Sequence, residues 1–134
     1  SAVWAKAEHK KISLSAVCDP ALTARHDQKW TAEALGNLLD NAVKYTPDGG
    51  SVTVTVRPWQ FYVRIDIADT GIGIPAEHYQ DVFQRFYRTE EAAAQECVGL
   101  GLYLANGIIT RQNGYISVQS KAGTGTVFSV YLVS

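Results

Sequence analysis

The sequence has little of what would mark a binder of polyanions, a metalloprotein or a disulfide-stabilised domain. Its 134 residues include 12 basic and 13 acidic side chains, and the net charge of −1 provides no basic field for nucleic acid. The two cysteines, Cys18 and Cys97, lie far apart and form no CxxC pair, and the three histidines complete no zinc pattern. We therefore expect reduced thiols in a cytosolic protein, with no structural metal, no disulfide and no nucleic acid partner.

Long apolar runs are also missing. No run approaches the ~20 residues that a membrane-crossing helix needs, and no signal peptide is recognisable. No repeat or linker divides the chain, and 134 residues suffice for one domain with a core but not for two. We predict a single domain over residues 1–134 that makes no contact with a membrane itself. Because the chain starts abruptly inside a helix-like segment, we expect it to be a piece of a longer protein.

The hydrophobic pattern mixes strands and helices. Strands are predicted over 11–17, 51–57, 61–69, 115–120 and 125–133, with a short one at 21–25, and helices over 27–45, 76–88 and 99–114. Asp27 is predicted to cap the first of these helices, and Asn113 with Gly114 to end the last. Because hairpins replace a repeating βαβ order, the expected fold class is α+β. It is a two-layer sandwich, with helices on one face of a mostly antiparallel mixed sheet of about five strands.

The helix over 27–45 carries an unusual polar face. At ~100° per residue, Asn37, Asn41, Lys44 and Tyr45 cluster on one side, opposite an apolar side that indicates a core contact. Asparagine is a poor helix former, so two of them one turn apart cost stability without a local return. A solvated polar surface is one interpretation. The other is a row of ligand groups, because an amide oxygen suits Mg²⁺ and an ammonium suits phosphate.

The segment IADTGIGIP (67–75) joins a strand to a glycine loop. Asp69 has the parity of Val63, Ile65 and Ile67 on the apolar side of the strand. Its carboxylate should therefore point inward, where an unpaired charge is expensive. It needs hydrogen-bond donors, and either the backbone amides of the turn or a ligand could supply them.

Two further glycine-rich segments are open to a structural or a functional interpretation. VGLGL (98–102), at the start of a predicted helix, either eases a turn or brings backbone amides to an anion. It matches neither the P-loop nor the dinucleotide fingerprint. GTGTVF (123–128) is typical of a hairpin turn, yet Thr126 shares the parity of Phe128 and Val130, so its hydroxyl should face the interior.

In their order along the chain, these segments resemble a known family. NLLDNAVKYT, DTGIGIP, FQRFYR, GLGLYLA and GTGTVF are similar to the N box, G1 box, F box, G2 box and G3 region of the catalytic ATP-binding domain of bacterial sensor histidine kinases. The resemblance covers nearly the whole chain and extends to the wider Bergerat-fold ATPases, such as gyrase B, the MutL proteins and heat-shock chaperones. NAVKYT with FQRFYR is typical of the histidine kinases. The resemblance implies the Bergerat fold with ATP and Mg²⁺ as ligands.

The resemblance also implies which residues bind the nucleotide. Asn41 would coordinate Mg²⁺ bridging the phosphates, and Asn37 would support the phosphate site. Lys44 would contact phosphate oxygens, and Tyr45 would lie near the base or ribose. Asp69 would accept a hydrogen bond from the exocyclic amine of adenine. The remaining contacts would be Gly71, Gly73 and Ile74 around the base, Thr126 through water, Phe83 and Phe86 at the foot of a mobile lid, and Gly99, Leu100, Gly101 and Leu102 over the triphosphate.

The catalytic residues implied by the resemblance are Asn37, Lys44, Arg85 and Arg88, with one of the two arginines neutralising the γ-phosphate. The ATP lid would span about 87–98. Cys97 stands where the G2 box of this family usually has a glycine that gives freedom to the lid hinge, so the resemblance leaves the opening of the lid undetermined. Its segment TEEAAAQEC (89–97) carries three acids and no base, and we expect a solvated loop or a short helical turn there.

The resemblance implies that the phosphoryl group is accepted by a histidine on a separate helical dimerisation domain. From there it would pass to an aspartate of a response regulator. No such dimerisation segment is present in this sequence, and His9 is expected to be an ordinary surface histidine. We expect a cytoplasmic domain that is monomeric and inactive alone. Its parent would be a homodimer anchored in the bacterial cell membrane.

Two alternative functions remain open from the sequence. A kinase of the same fold that phosphorylates serine, as in the anti-sigma-factor kinases, would share these motifs. A nonenzymatic ATP-binding module would also share them, and the unusual Cys97 is the feature that favours it.

Overall fold

The computed structural model describes residues 2–18, 22–74, 83, 101–121 and 123–134. The described helices are α1 (Ala2–His9), α2 (Gln28–Lys44) and α3 (Gly101–Arg111). The strands are β1 (Ser13–Cys18), β2 (Ser51–Trp59), β3 (Tyr62–Asp69), β4 (Tyr115–Lys121) and β5 (Gly125–Val133).

The five strands form one sheet in the order β1-β2-β3-β5-β4. β1 pairs with β2 in parallel, and the other three pairings are antiparallel. Side chains of all three helices, such as Ala7, Leu38 and Ile109, join the apolar side chains of the sheet in a single core. The predicted α+β sandwich, with a mixed but mostly antiparallel sheet, is therefore confirmed.

The sequence of α2 fixes both its start and the face that it buries. Asp27 adopts an extended conformation before the helix and its side chain accepts a hydrogen bond from the backbone N–H of Trp30 at 3.1 Å. This is the predicted N-cap, and it satisfies one of the amide groups that a helix start leaves unpaired. Leu38 and Ala42 lie on the buried face of α2 and are almost fully enclosed. The opposite face carries Asn37, Asn41 and Lys44, which are half-buried.

The face of the sheet away from the helices carries a cluster of aromatic and charged side chains. The Arg64 guanidinium lies 4.6 Å from the ring centroid of Trp59 and donates to the Asp66 carboxylate at 2.8 Å. Burial raises the pKa of Asp66, but hydrogen bonds from Ser129 and Arg64 outweigh this effect and hold the pKa below its usual range. Among the described residues, the half-buried Asp66 carboxylate therefore finds its partners within the sheet itself.

Two sequence predictions need comment. The short strand predicted over 21–25 is wrong for residues 22–25, which lie in no strand and are held to β5 by one hydrogen bond from Arg25 N to Val133 O, at 2.6 Å. The helix predicted over 76–88 lies outside the described residues apart from Phe83. Among the helices that are described, none has the length and apolar character needed to cross a membrane.

The buried face of α2 gives a direct test of the fold. Replacing Leu38, which is 0% exposed, by alanine should lower the free energy of unfolding by about 2–5 kcal/mol, because the surrounding core cannot fill the cavity. Leu104 on α3 is 48% exposed, and the same replacement there should change stability by less than about 0.5 kcal/mol. Urea unfolding of both variants measures the difference, and equal losses would contradict the assigned core.

Candidate functional site

Asp69 ends β3 at the edge of the helix-facing side of the sheet. It is the Cα partner of Val52 on β2 and of Thr126 on β5. Its Oδ1 accepts hydrogen bonds from the backbone N–H groups of Gly71, at 2.8 Å, and Thr126, at 3.2 Å. The inward parity predicted from the sequence thus places the carboxylate among backbone donors.

These two donors occupy only one of the carboxylate oxygens. Burial raises the pKa of Asp69, and the two backbone N–H groups partly oppose that rise. Within the described ranges, Oδ2 of Asp69 accepts no hydrogen bond. The arrangement therefore presents a fixed, partly buried acceptor to any ligand at this end of the sheet.

The loop after Asp69 is tied to the end of α2 and needs glycine for steric reasons. Ile72 N donates to the Tyr45 carbonyl at 3.3 Å. A Cβ on Gly71 would lie 2.5 Å from that carbonyl oxygen and 2.9 Å from Oδ1 of Asp69. Gly73 has a φ of 75°, in the region that side chains rarely adopt. The two glycines let this loop close between the helix and the sheet.

Ser120, which the sequence analysis missed, holds the loop from the other side. Its Oγ accepts the Ile74 N–H at 2.6 Å, donates to the Gly125 carbonyl at 2.8 Å, and lies 2.8 Å from Oγ1 of Thr126. Ser120 has the same strand parity as the core residues Ile116 and Val118. The alternation that placed Thr126 inward could therefore have found Ser120 as well.

The polar face of α2 supplies the second part of the site. Asn37, Asn41 and Lys44 are each half-buried, and in the described part of the chain no hydrogen bond engages their side-chain nitrogen or oxygen atoms. A Cβ on Gly101, at the start of α3, would lie 3.9 Å from the Cβ of Asn37. The first turn of α3 therefore lies beside the polar face of α2. This is the position expected if VGLGL (98–102) binds an anion there.

The end of α2 is held by a lysine from the segment after α1. The Lys10 ammonium donates to the carbonyls of Val43, at 2.9 Å, and Lys44, at 3.1 Å, where a cation opposes the negative end of the helix dipole. The Lys44 side chain lines a groove between α1 and α2 beside Lys10 and His9. His9 is exposed at the end of α1, as expected for a surface histidine.

Several of the site residues predicted from the sequence lie outside the described residues. They are Arg85, Phe86, Arg88, Gly99 and Leu100, together with the predicted lid at 87–98 and its Cys97. Phe83 is described, and its ring centroid lies 6.1 Å from that of Phe128 in an edge-on contact. Gly101 and Leu102 form the start of α3, and Leu102 packs against the core.

A metal at this site would depend on very few protein ligands. Among the described residues, no group of three or more histidine, cysteine, aspartate or glutamate side chains is arranged to hold a metal ion. The half-buried Asn41 carboxamide is a single oxygen ligand of the kind that Mg²⁺ uses together with waters and substrate phosphates. The residues present thus fit a magnesium ion that arrives with a nucleotide, and they do not form an all-protein cage.

Comparison of the sequence with known proteins gives a consistent result. The model of the family of histidine kinase-, DNA gyrase B-, and HSP90-like ATPases matches residues 26–133. The sensor protein SrrB of Staphylococcus aureus (strain NCTC 8325 / PS 47) is 38% identical over 109 residues, which make up 80% of this chain. The chain spans only 19% of the length of that relative.

Solved structures agree with the sequence match. A mycobacterial sensor histidine kinase, MprB, superposes with a TM-score of 0.83 at 26% identity, covering 98% of this chain and 92% of that one. Full-length ShkA in complex with AMPPNP superposes with a TM-score of 0.82 at 25% identity, covering 97% of this chain and 28% of that one. The chain therefore belongs to the family of histidine kinase-, DNA gyrase B-, and HSP90-like ATPases, and it is an ATP-binding catalytic domain of the sensor histidine kinase type.

Proposed function

We propose that this domain binds Mg²⁺-ATP and transfers the γ-phosphoryl group to a histidine of a separate dimerisation domain. The observation that carries the proposal is the Asp69 carboxylate, whose Oδ1 is held by two backbone N–H groups. The other oxygen is left to accept a hydrogen bond from the exocyclic amine of adenine. A carboxylate in this position would repel phosphate, so the loop from Asp69 to Ile74 takes the base and not the phosphates.

The phosphates belong at the polar face of α2. Asn41 would supply one oxygen ligand to Mg²⁺, Asn37 would support the phosphate site, and the Lys44 ammonium would contact phosphate oxygens. When bound, the ion neutralises charge that develops on the transferring phosphoryl group. The amides at the start of α3, from Gly101 onward, favour an anion through the helix dipole. Tyr45, at the end of α2, would lie near the base or ribose.

The segment between the base-binding loop and the start of α3, which includes the predicted lid, would cover the nucleotide. Following the family resemblance, Phe86 would anchor the base of the lid, and Gly99 and Leu100 would cover the triphosphate. Arg85 or Arg88 would neutralise the γ-phosphate. Little covalent chemistry is required of the protein itself, because phosphoryl transfer depends mainly on positioning and charge neutralisation. In the transfer, the bond between the γ-phosphorus and the bridging oxygen breaks, Nε2 of the acceptor histidine bonds to phosphorus, and ADP leaves.

The wider role that we propose is supported by the relatives. SrrB is a sensor protein, and ShkA has been solved with the ATP analogue AMPPNP. By extension, the parent of this domain would be a homodimer anchored in the bacterial membrane, with this domain in the cytoplasm. Its phosphohistidine would pass the phosphoryl group to an aspartate of a response regulator.

Replacing Asp69 by asparagine should weaken ATP binding about 100-fold or more. The two N–H donors would hold the amide oxygen in the place of Oδ1, so the amide NH₂ would face the exocyclic amine of adenine, donor against donor. Calorimetry with ATP measures the change. Asp66→Asn, on the opposite face of the same strand, is the matched control and should leave the affinity within about twofold. Unchanged affinity in Asp69→Asn would refute the base assignment.

Replacing Asn41 by alanine should reduce the gain in ATP affinity that Mg²⁺ produces by about tenfold, or ~1.4 kcal/mol. Adenosine, which has no phosphate and recruits no metal, should bind as before. Titrations with ATP, with and without Mg²⁺, and with adenosine separate the two effects. The control is Asp40→Asn, which alters the neighbouring position on α2 and its exposed ion pair with Lys6. A persistent magnesium dependence in Asn41→Ala would refute the metal assignment.

The transfer itself can be tested with γ-labelled ATP and the dimerisation domain of the parent protein. We expect Mg²⁺-dependent labelling that is acid-labile and base-stable, as a phosphohistidine is, and no labelling with the Asp69→Asn domain. Base-labile label on a serine would instead indicate a serine kinase of this fold. ATP binding without any transfer would indicate a nonenzymatic binding module.

A further inference from the structure

The carbonyl groups at the end of α2 have no partners further along the helix and take them from elsewhere. The Thr46 hydroxyl donates to the Ala42 carbonyl at 2.6 Å, which is a contact within the same segment. The carbonyls of Val43 and Lys44 accept hydrogen bonds from the Lys10 ammonium, at 2.9 and 3.1 Å. Lys10 lies 34 positions before Lys44 in the sequence, so the end of α2 depends on a distant part of the chain.

Lys10 is itself held in place by the turn that ends α1. Lys11 has a φ of 55°, and Ile12 N donates to the Ala7 carbonyl at 2.8 Å, so the turn has the left-handed residue and the hydrogen bond of a Schellman motif. Ala7 and Ile12 are both buried in the core. The Lys10 carbonyl accepts a hydrogen bond from Gly49 N, in the loop after α2, at 3.0 Å. The backbone of Lys10 is therefore fixed relative to both α1 and the end of α2.

We propose that Lys10 is a positioning residue for the phosphate end of the site, because it holds the backbone from which Lys44 reaches the nucleotide. The inference rests on the proposed function, in which the Lys44 ammonium contacts phosphate oxygens. Lys44 is the last residue of α2, and helix ends fray when their carbonyls are unpaired. With its carbonyl held, the Lys44 side chain starts from a fixed backbone and loses less conformational freedom when ATP binds. Lys10 lies before the segment 26–133 that the family model matches.

The test is the ratio of the dissociation constants for adenosine and ATP, which reports how much the phosphates contribute to binding. Lys10→Met keeps the length of the side chain and removes its charge and its hydrogen-bond donors. The ratio, measured by NMR titration with Mg²⁺, should fall about three- to tenfold, which is the cost of ordering one long side chain. A general loss of stability lowers the binding-competent fraction for both ligands and cancels in the ratio. Lys10→Arg, which keeps the charge and the donors, should restore the ratio to within about twofold.

Two further comparisons separate positioning from a direct effect of charge. Lys6→Met removes a lysine one turn earlier, on α1, together with its exposed ion pair to Asp40 of α2, and leaves the carbonyls at the end of α2 paired. This matched loss of one positive charge should keep the ratio within about twofold. In a Lys44→Ala background, Lys10→Met should have no further effect on the ratio, because the side chain that it positions is gone. A direct contact of Lys10 with phosphate would instead lower the ratio by the same factor in both backgrounds.

The outcomes separate this inference from the proposed function. A ratio that Lys44→Ala leaves unchanged would refute the phosphate contact of Lys44 and this inference with it. A ratio that falls in Lys44→Ala but not in Lys10→Met would overturn the role of Lys10 alone. Equal losses in Lys10→Met and Lys6→Met would also overturn it, because net charge would then explain both. If Lys10→Met does not fold, the shorter and uncharged Lys10→Gln takes its place, and an unchanged ratio there would overturn the role of Lys10 as well.

Discussion

The geometry of the site depends on how one carboxylate is accommodated at the end of β3. Burying Asp69 without donors would be expensive, and the fold meets this cost with two backbone N–H groups, from Gly71 and Thr126. Both donors come from close approaches of backbone to backbone. A Cβ on Gly125 would collide with the Asp69 carbonyl, and one on Gly71 would collide with Tyr45. Glycine is needed at both positions because main chain packs directly against main chain there.

The site has two parts with opposite electrostatic character. The sheet end carries a partly buried acid with two hydroxyls, and the α2 face carries two carboxamides and an ammonium. The hydrogen bond from Ile72 to the Tyr45 carbonyl is the link between them. An adenine nucleotide has the same polarity, with a neutral, donor-bearing base at one end and a polyanion at the other. The site is thus complementary to ATP because the sheet end supplies acceptors for the base and α2 supplies amide and ammonium groups for the phosphates.

Much of this could be predicted from the sequence, because it depends on local patterns. The Asp27 cap, the inward parity of Asp69 and Thr126, and the hairpins all follow from spacing and turn residues. The parallel pairing of β1 with β2 and the hydrogen bonds of Ser120 could not, since they depend on which strands become neighbours and in which register. The strand predicted at 21–25 failed because alternation alone does not provide residues 22–25 with a partner strand.

The strand order also has a consequence for how the molecule is made. The second donor to the Asp69 carboxylate comes from Thr126, 57 positions later in the sequence. A ribosome delivers β3 long before β5, so this donor is missing when β3 emerges, and pairing strands so far apart in sequence is slower than forming local contacts. The acceptor site at Asp69 is therefore complete only once β5 has paired with β3. Under the proposed function, nucleotide binding by a newly made chain would report that β5 has joined β3.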